Sequence, residues 1–172
     1  VLQTQGLITS SAGPGRGTRI APAQGSALAR IFQLHFALSG TGSGALTETR
    51  VALERSSAAL AAQRANQKSL RRLVAVVEAM AASETIDDFN DLDTEFHVLI
   101  ARAGQNQLIA DLTVAIRQAV RESIREASTG LADWPAFRLE LLAQHSEILA
   151  SITEGDPVRA AAGPFGTTIA HG

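Results

Sequence analysis

Asp93 and His97 stand four residues apart in the stretch DLDTEFHVLIA, residues 91–101. At that spacing a carboxylate and an imidazole leave a helix in the same direction and can share one ligand. His145 falls four residues after Leu141 and three before Ile148, again on an apolar stripe. One aspartate and two histidines form a common donor set for a divalent ion, and neutral imidazole with carboxylate suits Zn, Ni, Mn or Fe. The same residues admit a plainer use, as a hydrogen-bonded Asp–His core pair and a histidine satisfied within the core. Burying several polar groups together is costly unless they satisfy one another or bind something. On spacing alone both readings stand. Arg50 and Glu54 form an i, i+4 pair followed by Arg55. They read either as a surface ion pair or as an arginine turned inward to grip an anion, for which a guanidinium is well shaped. His35 lies in a linker and His171 one residue from the end, so neither joins the set on sequence grounds.

These side chains need helices to carry them. Ile86, Phe89, Leu92, Phe96, Leu99 and Ile100 recur at helical spacing around Asp93 and His97, and Phe137, Leu141, Ile148 and Ile152 do so around His145. The spacing predicts helices over about 46–65, 67–82, 86–103, 107–127 and 134–153, with a sixth opening at Asp156-Pro157. Thr47, Ser83 or Thr85, and Asn106 are candidate caps, Pro135 fits a first turn, and Gly104 and Gly155 are stops. This body has no alternating β pattern, so an all-α antiparallel bundle is expected. Residues 6–20 differ: Leu7-Ile8-Thr9 and Thr18-Arg19-Ile20 flank SSAGPGRG, a strand–turn–strand pattern that predicts a short β-hairpin. Residues 21–44 read as a linker with one helical piece, roughly Ala27 to Leu38, and a flexible SGTGSG break. Gly163-Pro164 and Gly166 should end or kink the last helix.

The 172 residues suit one ordinary domain with a remnant of another, and can bury a core without staples. There is no cysteine, which excludes disulfides and thiolate metal sites. No run is apolar enough to span a bilayer and no signal-peptide core is present, so a cytoplasmic protein with no membrane contact is expected. Residues 1–44 carry Arg16, Arg19 and Arg30 and no acid, so the net charge of −2 leaves −5 for the rest. A basic start on an acidic body suggests two parts with different partners.

Three stretches, LTETRVALERSSAALAAQRA, DTEFHVLIARAGQNQLI and HSEILASITEGDPVRAA, resemble in this order the FCD (FadR C-terminal domain) ligand-sensing domain of GntR-family bacterial transcription regulators. LQTQGLI and GRGTRI resemble that family's exit from the recognition helix into the wing and its returning strand. The resemblance implies three parts: 1–20, a wing remnant of a winged helix-turn-helix; 21–44, a linker; 45–172, an FCD bundle of six to seven helices. It implies a homodimer, a small carboxylate effector and a divalent metal such as Zn, Ni or Mn. Asp93, His97 and His145 match three of the family's four ligand positions. Counting places Thr167 at the fourth, normally a histidine, with His171 about a turn later as a substitute. Arg50 is the expected ligand-binding arginine, and Arg16, Gly17, Thr18 and Arg19 the expected DNA contacts of the wing. A wing without its recognition helix can touch phosphate but cannot read bases in the major groove, so operator recognition is expected of a longer parent. An enzyme is not expected. A metal-dependent bundle enzyme would need a base or nucleophile beside these residues, such as a repeated Glu-x-x-His, and none is found. A dimerisation module with a vestigial pocket is the remaining alternative.

Overall fold

Helix starts are the strongest local signals in this sequence, and the fold uses most of them. In the computed structural model, which describes residues 8–10, 13, 18–20, 25–39 and 42–165, the side chains of Asn66, Thr85, Asn106, Asp133 and Asp156 each accept a hydrogen bond from a first-turn N–H. These caps satisfy donors that the helix itself cannot. They open α3 (Gln67–Ala82), α4 (Ile86–Ala103), α5 (Gln107–Thr129), α6 (Trp134–Glu154) and α7 (Pro157–Ala162). Pro135 and Pro157 sit in first turns, where a missing N–H costs nothing. Gly155 ends α6 in the left-handed region at φ 73°.

Two boundaries differ from expectation. α2 runs Ser43–Arg64, beginning inside the SGTGSG stretch, because the N–H of Leu46 reaches back to the Gly42 carbonyl. Thr47 therefore lies within the helix and is not its cap. The helical piece expected over 27–38 is α1, Gly25–Ser39, and it packs on α5, so this part of the expected linker is a built element of the bundle. At the start, β1 (Ile8–Ser10) pairs antiparallel with β2 (Thr18–Ile20), Ile8 opposite Ile20.

The bundle is organised around α2, which touches α4, α5, α6 and α7, while α3 closes against α4 and α6. Leu73, Met80, Phe89, Phe96, Ile100 and Ile148 form much of its apolar centre. Each such side chain contributes roughly 1.5–3 kcal/mol on burial, which is the resource available to offset polar groups buried beside it. α2 and the end of α4 approach closely at Gly104, where a Cβ would stand 2.9 Å from that of Leu60. Arg64 donates to the Gly104 carbonyl at 3.1 Å, and the Gln105 amide donates back to the Arg64 carbonyl at 2.7 Å. This corner sets the register of α2 against α4, and with it the opposition of Arg50 and Glu54 to Asp93 and His97. Among the described residues, no helix is long and apolar enough to cross a membrane.

Candidate functional site

Four helices send polar side chains to one point inside the bundle. α2 brings Arg50 and Glu54, α4 brings Asp93 and His97, α5 brings Arg117 and α6 brings His145, and none of the six is more than 5% exposed. Arg117 bridges the two carboxylates. Its Nη1 donates to Asp93 Oδ2, and its Nε donates to Glu54 Oε1 at 2.5 Å. Arg50 Nη1 donates to the other Glu54 oxygen at 3.1 Å. His145 Nε2 lies 2.8 Å from Asp93 Oδ1 and its Nδ1 lies 2.6 Å from the Leu141 carbonyl. Both ring nitrogens thus face oxygen acceptors. His97 is placed differently. Its nitrogens are 3.6 Å from Asp93 Oδ1 and 3.8 Å from Glu54 Oε1, too far for direct hydrogen bonds. Its ring is held by Phe96, with centroids 5.4 Å apart, and by Phe165 at 6.1 Å.

Burial drives the His97 pKa well below the ordinary imidazole range, and the positive charge of Arg117 adds to the effect. Burial would raise the Asp93 carboxyl, but Arg117 and the hydrogen bond from His145 hold it well below the usual carboxylate range. The cluster therefore offers a neutral imidazole and an ionised carboxylate. A pH dependence follows. Unfolded His97 takes up a proton near 6.5, whereas folded His97 does not. Its contribution to stability is present above that pH and is lost as pH falls, by up to about 1.4 kcal/mol per pH unit for one proton. The Asp93 contribution is lost only below 3.8. Thermal melts between about pH 8 and pH 5 should show the midpoint falling below pH 6.5, with a shallower fall in His97→Gln. An equal slope in the variant would assign the effect to other groups.

The FCD domain family matches this chain over residues 45–163. The chain belongs to the FCD domain family. α2 to α7 are the helices that this match spans. Among solved structures, a GntR protein of Streptococcus agalactiae is similar at 24% identity and TM-score 0.67, over 94% of this chain and 71% of that one. McbR/YncC of E. coli is similar at 12% identity and TM-score 0.63, over 94% and 72%. A structure titled for Lar, which controls expression of the Listeria monocytogenes agr system, is similar at 15% identity and TM-score 0.56, over 94% and 68%. At these identities the likeness is one of fold. No curated protein matches the chain.

Within the FCD bundle, Asp93, His97 and His145 do come together, with one ligand atom from each lying within 4.8 Å of the others. The donors fit a divalent ion in kind: an ionised carboxylate, a neutral imidazole without a hydrogen bond among the described residues, and a second imidazole oriented by a backbone carbonyl. Arg50 points inward with Glu54, which overturns the surface-pair reading of these residues, while Arg55 is exposed. Thr167 and His171 lie outside the described residues, as do Arg16 and Gly17. Thr18 and Arg19 fall in β2. His35 is exposed on α1. α7 stops at Ala162, as the Gly163-Pro164 pair requires, and Phe165 then enters the core. Arg117 is the site residue that sequence reasoning missed. Its signal was weak but present: Thr113, Arg117 and Val120 share helical spacing on the buried face of α5.

Proposed function

We propose that the chain is the effector-sensing and dimerisation part of a GntR-type transcription regulator, which takes a small carboxylate metabolite beside a divalent ion. The observation that supports this most is the convergence of Asp93, His97 and His145 with two buried arginines at the centre of an FCD bundle. Asp93, His97 and His145 would hold Zn, Ni or Mn. When bound, such an ion supplies a Lewis-acidic point that an oxygen of the effector can share. Arg50 supplies the complementary grip on the anion. The FCD fold supports a homodimer, and the β1–β2 ladder supports a wing in which Arg16, Gly17, Thr18 and Arg19 meet DNA backbone, the longer parent reading the operator. Signalling requires the effector to bind one placement of the DNA-binding heads better than the other. A coupling of about 1–3 kcal/mol changes operator affinity roughly 5–150-fold.

Arg50→Ala tests the anion grip. Loss of a charged hydrogen bond, about 1.5–3 kcal/mol, weakens binding of succinate or citrate by roughly 10–150-fold in calorimetry with the metal present. Unchanged affinity in a folded variant contradicts the role. In solution the chain should scatter light as twice its 18.0 kDa, and a monomer across micromolar concentrations contradicts the dimer.

A further inference from the structure

We propose that Arg117 is a tethered cation, holding Asp93 in place of the metal ion and giving it up when the ion binds. This deepens the metal reading above and rests on it. Asp93 has no idle oxygen: Oδ1 faces His145 Nε2 at 2.8 Å, and Oδ2 accepts from Arg117 Nη1. Leaving the histidines aside, two buried arginines face two buried carboxylates, so the cluster is balanced without any ion. A divalent ion set on Asp93 beside Arg117 gives the core two uncompensated positive charges. It also puts a guanidinium and the ion on opposite edges of one carboxylate, with little water to screen them.

Arg117 can leave Asp93 without losing its anchor. Its Nε donates to Glu54 Oε1, and its Nη2 lies 2.5 Å from the same oxygen. That Nη2 contact is an ion pair by distance but is poorly directed as a hydrogen bond, and Nη2 is one of two buried side-chain nitrogens without a hydrogen-bond partner among the described residues. Pivoting on Glu54, Arg117 frees Asp93 for the ion and turns an unsatisfied donor toward an incoming anion. Metal and anion then enter together: the ion displaces Arg117, the freed arginine joins Arg50 in holding the anion, and the anion restores the balance of charge. Neither partner alone achieves this, so each strengthens the binding of the other.

The opposing reading makes Arg117 an ordinary orienting partner of a metal-bound carboxylate. Loss of such a partner weakens metal binding about 10–100-fold. Exchange predicts the opposite sign. The test titrates the chelator-treated chain with zinc, with and without millimolar sulfate, by calorimetry. It compares the natural protein, Arg117→Gln, and the double substitution Glu54→Gln with Arg117→Gln, which removes one charge of each sign and so protects the fold. Exchange predicts zinc binding tighter by about tenfold or more in the double variant, and a sulfate enhancement in the natural protein that the variant loses. Weaker or unchanged zinc affinity in the double variant overturns the proposal while leaving the metal site intact. If neither variant folds, sulfate-independent zinc binding by the natural protein overturns it equally. Absence of zinc binding in every form overturns the metal reading and the exchange together.

Discussion

Replacing Arg117 by methionine should lower the stability of the metal-free protein by about 3–5 kcal/mol, the largest loss expected from any one substitution in the polar cluster. Methionine has a similar reach and fills the space, so packing is largely kept and the charge is what is removed. Glu54 and Asp93, 1% and 5% exposed, then keep their charges with Arg50 as the remaining buried arginine, and Asp93 loses its donor at Oδ2. Burial that Arg117 now outweighs would push the Asp93 carboxyl toward protonation. The loss should therefore shrink at low pH, where a protonated Asp93 needs no counter-ion. Arg125→Met, at an exposed pair with Glu122 and Asp87, is the control and should leave the midpoint unchanged. Urea unfolding with chelator present measures both. A loss under about 1 kcal/mol for Arg117→Met would mean that the cluster does not depend on this counter-ion.

The second large effect is on metal. His97→Ala should reduce affinity for zinc, nickel or manganese by more than the roughly 10–100-fold that loss of an outer-shell partner costs. The variant separates binding from folding because His97 makes no hydrogen bond with the described residues and its removal costs packing alone. Asp93, by contrast, is a partner of both Arg117 and His145, so its substitution would confound the two. Elemental analysis of folded His97→Ala should find metal at background. Unchanged stoichiometry would remove His97 from the ligand set.

Much of the fold was legible because its signals are local. Caps at Thr85, Asn106 and Asp156 act within one turn of their own helices, so no knowledge of partners is needed to read them, whereas Asn66 and Asp133, which cap α3 and α6 in the same way, were not singled out. The start of α2 was not legible, since Ser43 and Gly44 are poor helix formers drawn in by the helix that follows. Asp93, His97 and His145 could be singled out because each interrupts an apolar stripe. Arg50 and Glu54 could not be placed, because an i, i+4 pair reads the same at a surface as in a core until the neighbouring helices are known. Arg117 was hidden for a stronger reason. An arginine on a helix belongs in solvent unless opposing charges meet it, and its two partners lie 63 and 24 residues away on α2 and α4. Its burial is a property of three packed helices rather than of any one segment.

We propose this polar cluster as a site for a divalent ion and a small anion together. Native mass spectrometry combined with elemental analysis, on protein purified without chelator, tests it most directly. One divalent ion for each chain is expected, accompanied by a small carboxylate, and both should be lost in His97→Ala. Protein that carries neither, and takes up neither when zinc, nickel or manganese is supplied with citrate, would contradict it.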